Sequence, residues 1–187
     1  MNTAIIPGSL GAIAKQGGKT IAETFTSADC IVIVDTSGSM ADNDSRDGKS
    51  RYEVACDELA KLQNQFPGKI AVLAFSADVQ FCPSGIPTFM GGCTDMARAL
   101  EFAKIADVPG MQFILISDGE PDNEEKTITV AKTYQNKIST IYVGPEERPV
   151  GRDFLYRLAQ ATGGQGITVD RAKELKSGIE RLMLPGG

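Results

Sequence analysis

The residues of this chain best suited to chemistry carry oxygen. Asp35-Thr36-Ser37-Gly38-Ser39 sets a carboxylate and two hydroxyls at i, i+2 and i+4 of a turning segment, so all three can face one point. Thr94 opens a helix just after Gly91 and Gly92, and Asp118 stands within Ser117-Asp118-Gly119. Hydroxyl and carboxylate oxygens are hard donors that suit Mg²⁺ or Mn²⁺, which take near-octahedral oxygen shells. Mg²⁺ sheds water reluctantly, so some carboxylates are expected to act through water and to leave a coordination position open. Taken singly, Asp35 and Ser37 read as turn residues and Thr94 as a helix cap. Only their convergence favours a metal.

Convergence requires strands that end at a common edge. Cys30-Ile31-Val32-Ile33-Val34 is a continuous apolar, β-branched run, the pattern of a central parallel strand covered on both faces. Ile70–Phe75 and Phe113–Ile116 repeat that pattern, and Ile138–Val143 reads as a further strand. Val79–Phe81 reads as a short antiparallel edge strand after the turn at Ser76-Ala77-Asp78, and Ile167–Val169 as a short sixth strand. Helical spacing is expected over Arg51–Phe66, Asp95–Asp107, Glu124–Asn136, Phe154–Ala161 and Ala172–Leu182. This alternation specifies an α/β fold, doubly wound, with a mostly parallel six-stranded sheet and helices on both faces. In such sheets ligands bind beyond the carboxyl ends of the strands, where the chain order reverses. Asp35 and Asp118 both follow strands there.

The 187 residues suit one domain. Residues 1–27 read as an N-terminal helical arm, capped by Ser9 and interrupted at Gly17-Gly18; residues 28–187 form the α/β domain. Gly17-Gly18-Lys19-Thr20 is not a phosphate loop, because Ile13 stands where GxxxxGK[ST] needs glycine and no strand precedes it.

Composition removes several function classes. With 0 histidines there is no Ser-His-Asp or Cys-His nucleophile pair and no imidazole for zinc. Nineteen Lys and Arg against 24 Asp and Glu leave a net charge of −5, which disfavours nucleic acid and anionic membranes. No apolar run approaches the ~20 residues of a membrane helix, and no secretory signal is apparent. Cys30, Cys56, Cys82 and Cys93 form no CxxC pair and read mostly as buried thiols, so a reducing cytoplasm is expected. Glu124 and Glu125 read as acids leading a helix, and Arg157, Arg171, Lys173, Lys176 and Arg181 as solvated helix surface.

Asp35-Thr36-Ser37-Gly38-Ser39, a distant threonine after glycines, and Ser117-Asp118-Gly119 together resemble the metal-ion-dependent adhesion site of von Willebrand factor type A domains. The likeness runs from about Asp29 to Leu184. It includes Phe154-Leu155, Leu158-Ala159 and Ala161-Thr162-Gly163-Gly164, similar to a stretch of bacterial stand-alone members. One departure is Cys93, which separates Gly91-Gly92 from Thr94 where the family commonly reads Gly-Gly-Thr. The resemblance implies that Ser37, Ser39 and Thr94 coordinate Mg²⁺ (or Mn²⁺ or Ca²⁺) through hydroxyls, while Asp35 and Asp118 hold it directly or through water. It further implies a non-enzymatic protein-interaction module whose metal captures an acidic side chain of a partner protein. Bacterial domains of this type resemble adaptors that work beside AAA+ ATPases or in stress-response systems. The rival reading is a Mg²⁺-dependent phosphoryl-transfer enzyme or hydrolase, which also uses strand-end aspartates. A haloacid-dehalogenase-like site would want DxD where this chain has Asp35-Thr36-Ser37, and a receiver domain would want paired acids near its phosphoacceptor.

Overall fold

The computed structural model describes residues 5–183. The sequence therefore extends at both ends, Leu184 included, beyond the described residues. Six strands form one sheet in the order β3-β2-β1-β4-β5-β6: β1 (Cys30–Asp35), β2 (Ile70–Phe75), β3 (Val79–Phe81), β4 (Gln112–Ser117), β5 (Ile138–Tyr142) and β6 (Gly166–Thr168). All pairings are parallel except β2 with β3. The antiparallel return is the edge strand that the turn at Ser76-Ala77-Asp78 predicts.

Alternate strand residues feed two cores. Ile31, Ile33, Leu73, Phe113 and Leu115 pack with α4 (Met96–Ala103), α5 (Glu124–Ala131) and α6 (Pro149–Thr162) on one face. Val32, Val34, Val72, Ile114 and Ile116 pack with α3 (Arg51–Gln65) and α7 (Leu175–Met183) on the other. Burial on both sides explains why the central strands are apolar without alternation. Ahead of β1 lie α1 (Leu10–Gly17) and α2 (Ile21–Phe25), separated by Gly18 in the left-handed region. Ser9 caps α1 by accepting from the Ala12 N–H, and Leu10 is buried in the first core.

Helix α4 ends at Ala103, short of Asp107, and tightens into a 3-10 turn over Lys104–Ala106; three further helices differ from their expected bounds, each for a local reason. Helix α6 begins at Pro149, ahead of the apolar stripe, because proline is preorganised for the first helical position. Helix α5 stops at Ala131, before Asn136, because the Asp107 carboxylate takes the N–H groups of Gln135 and Asn136 at 2.6 and 3.1 Å. Helix α7 begins at Leu175, after Ala172, because Arg171 and Ala172 have φ of 47° and 60°, outside any right-handed helix.

Candidate metal centre

β1 is the switch point: its neighbours β2 and β4 connect to opposite sides, so the loops after β1 and β4 part at their carboxyl ends. The register pairing Val34 with Ile116 brings Asp35 level with Ser117. Ser117 Oγ donates to Asp35 Oδ2 at 2.5 Å, and the Ser37 N–H donates to Asp35 Oδ1 at 2.8 Å. Asp35 is fully buried. Burial pushes its carboxyl up to about 6, against the hydrogen bonds from Ser117 and Ser37, with the Asp118 charge adding to the rise.

The remaining oxygens lie in front of Asp35. Ser37 Oγ is 3.4 Å from Ser39 Oγ, which donates to Asp118 Oδ1 at 2.9 Å. Neighbouring oxygens of an octahedral Mg²⁺ shell stand about 3 Å apart, given Mg–O bonds of about 2.1 Å. A β-carbon on Gly119 would lie 3.8 Å from Ser39 Oγ and 4.0 Å from Thr94 Oγ1, so both hydroxyls border the same glycine. Thr94 thus borders the same glycine as Ser39 despite the Cys93 insertion. The inserted thiol is exposed, and the loops are zipped by Gly91 N–H to Thr36 O and Gly38 N–H to Gly92 O. Gly91 and Gly92 have φ of 67° and 85°, which is why the tight approach uses glycine.

Thr94 is not the helix cap. Asp95 caps α4 by accepting from the Arg98 N–H, while the Thr94 N–H donates to Asp122 Oδ1 at 3.1 Å. Among the described residues the Thr94 hydroxyl makes no hydrogen bond, which leaves its oxygen available as a ligand. Asp122 is therefore a loop brace, and Glu124 and Glu125 fall in the first turn of α5 as expected.

Sequence reasoning missed Arg51. It opens α3, yet its side chain is 3% exposed and reaches back to the site. Its guanidinium binds Asp118 Oδ2, whose side chain is 0% exposed. It also grips Asp44 with two bonds, Nε to Oδ1 at 2.9 Å and Nη2 to Oδ2 at 2.6 Å. Burial opposes the Arg51 charge, but Asp44 and Asp118 outweigh it and raise its affinity for the proton; in return Asp44 is held below the usual carboxylate range. The one cue in the sequence is a cation in the first turn of a helix, where the dipole disfavours positive charge.

The donor set fits a hard divalent cation. It offers three hydroxyls and the inward oxygen of Asp118, with Asp35 braced behind. Among the described residues no three His, Cys, Asp or Glu side chains cluster as a metal site, so hydroxyls supply most of the set. Alongside runs a cleft of about 420 Å³ bordered by Ser39, Asp118, Gly119, Glu120 and Arg148.

Solved structures share this fold, among them the following two. An aerotolerance-related membrane protein from Bacteroides fragilis NCTC 9343, carrying multiple mutations to serines, superposes with a TM-score of 0.63 at 18% identity, over 82% of this chain and 96% of that one. A von Willebrand factor type A structure from Catenulispora acidiphila superposes with a TM-score of 0.55 at 18% identity, over 81% of this chain and 41% of that one. No protein-family model and no curated protein matches the sequence. The fold is the Rossmann-like fold of von Willebrand factor type A domains.

Proposed function

We propose that the chain is a divalent-metal-dependent protein-interaction module with an adhesion-type site. Ser37, Ser39 and Thr94 would hold Mg²⁺ or Mn²⁺ by their hydroxyls, with Asp118 and Asp35 completing the shell directly or through water. A bound dication would supply strong attraction for a carboxylate of a partner protein. The supporting observation is the contact of the Ser37, Ser39 and Asp118 oxygens at the switch point of this fold, with the Thr94 hydroxyl bordering the same glycine as Ser39. Ser117 and the Ser37 amide fix the orientation of Asp35, and mostly neutral donors leave the ion's charge incompletely offset.

A non-enzymatic role is favoured by the state of Asp35. Both its oxygens are engaged within the protein and it is fully buried, which suits a brace better than a nucleophile. A cytoplasmic setting is favoured by four cysteines without a disulfide. Among the described residues no helix is long and apolar enough to cross a membrane.

The test is calorimetric titration of the chelator-treated protein with Mg²⁺ and Mn²⁺, followed by capture of partners with metal and with EDTA. Saturable 1:1 binding, and partners lost on chelation, are expected. No heat of binding and no metal-dependent melting shift would end the reading. Thr94→Val tests one ligand: metal affinity should fall about tenfold or more, while metal-free stability changes by less than about 0.5 kcal/mol. The small stability effect follows because replacing a hydroxyl without a partner by a methyl of equal shape costs little.

A further inference from the structure

Resting on the metal reading, we propose that Arg51 is a resident counter-cation of the site, which holds Asp118 ready in the metal-free protein and lowers the affinity for the divalent ion. Asp118 is two-sided: Oδ1 accepts from Ser39 toward the ligand hydroxyls, and Oδ2 takes the Arg51 guanidinium. Nothing else that opens α3 requires a cation, and the helix dipole opposes one there. The arginine is retained against that cost and against burial, since the exposure of its side chain is only 3%. Removing it would leave the fully enclosed Asp118 carboxylate without a counter-charge, a strongly unfavourable state in the absence of metal.

The same guanidinium ties the site to the loop that follows Ser39. It binds Asp44 with two bonds, touches Asp42 Oδ2 at 3.3 Å and reaches the Ser39 carbonyl at 3.4 Å. The fork geometry matters, because one planar cation spans two carboxylates from different loops. A dication entering beside Oδ1 of Asp118 meets this positive charge across one carboxylate. Asp35 and Asp118 bring two negative charges to the ligand side and Asp44 and Asp42 two more behind the guanidinium, and Arg51 offsets one of the four. The resident charge therefore weakens metal capture, and once metal is bound it leaves the site more positive toward an incoming acidic group.

Arg51→Gln and Arg51→Lys separate charge from shape. Calorimetry with Mn²⁺ should show Arg51→Gln binding about tenfold tighter or more than the natural protein, the lower bound for a unit charge about 6 Å from a dication screened as strongly as in bulk water. Arg51→Lys, which keeps the charge without the fork, should stay within about threefold of the natural affinity by the same reasoning. In EDTA, Arg51→Gln should melt below the natural protein, and the gap should close under saturating Mn²⁺. A folded Arg51→Gln that binds Mn²⁺ no tighter than the natural protein would reduce Arg51 to a structural clamp and leave the metal reading intact. Absence of Mn²⁺ binding by every form would remove the metal reading and this proposal together. Should Arg51→Gln not fold without metal, the ¹⁵N signal of Arg51 Nε in the natural protein decides: it should move on saturation with Mg²⁺, and an unmoved signal overturns the proposal.

Discussion

Asp35→Asn is expected to weaken divalent-metal binding about 100-fold or more and, at pH 7, to make the metal-free protein more stable. Asp35 is enclosed at the end of the central strand, and burial pushes its carboxyl up to about 6 from an ordinary value of 3.8. Between those values the folded chain holds the proton more tightly than the unfolded chain does. Stability from this group is therefore greatest below about pH 4, falls as pH rises toward 6, and stays low above it. The full difference is worth about 3 kcal/mol. Asparagine keeps an acceptor for the Ser37 N–H and carries no charge to bury. Its amide must face Ser117, whose hydroxyl can turn to accept, so part of the gain is lost. A net gain of about 2 kcal/mol at pH 7 corresponds to a melting point higher by ~6 °C for a chain of this size. Melting in EDTA at pH 4.5 and 7.5 checks the sign, because the gap should open with pH. Calorimetry should show Mn²⁺ affinity reduced about 100-fold or more, since the site loses one of its two carboxylates. An asparagine variant that is less stable at pH 7.5, or a gap that ignores pH, would mean that Asp35 is not strained by its burial.

That strain also explains what the sequence made legible. The strands were readable because burial on both faces turns Cys30–Val34, Ile70–Phe75 and Phe113–Ile116 into unbroken apolar runs, a signal independent of partners. Asp35 and Asp118 were readable for the complementary reason, as polar residues abruptly ending such runs at the same edge of a parallel sheet. Helix limits were less legible where a distant group decides them. Asp107 unwinds the end of α5 from 28 or more residues upstream, and no periodicity within 124–136 records that. Arg51 is the same problem in the site. Its partners Asp44 and Asp118 lie 7 and 67 residues away, and its position in a helical stripe suggests only a surface cation. The Arg171 side chain is likewise more than solvated surface, bridging Asp44, Glu147 and Asp170 from a left-handed backbone. Local pattern finds groups that chemistry places at strand ends; it does not find the cations that balance them.

Gly164→Ala should cost more stability than Gly163→Ala, although only Gly163 needs a left-handed backbone. Gly163 ends α6 with φ 73°, and an added β-carbon there would approach only the Lys137 Cε, at 4.0 Å. Alanine at that position bears the left-handed penalty of about 1 kcal/mol and little else. At Gly164 the β-carbon would stand 2.1 Å from the Ile138 carbonyl oxygen and 2.6 Å from its carbon. Those atoms belong to the first residue of β5, so relief requires moving the backbone. The neighbouring bonds resist it: Thr162 Oγ1 donates to Ile138 O at 3.1 Å and accepts from the Ile138 N–H at 3.0 Å, while the Thr140 N–H donates to Gln165 O at 2.8 Å. Opening this junction should detach β6 and cost about 3 kcal/mol or more, the range of severe packing and strain effects. Chemical denaturation of both variants gives the order, and hydrogen exchange over Gly166–Thr168 should locate the Gly164 effect. Because Ile138 lies at the amino end of β5, away from Asp35 and Ser117, the folded fraction should keep its metal affinity. If Gly163→Ala proves the costlier change, backbone conformation and not close approach governs this corner, and the glycine pair that carried part of the family resemblance reflects turn geometry alone.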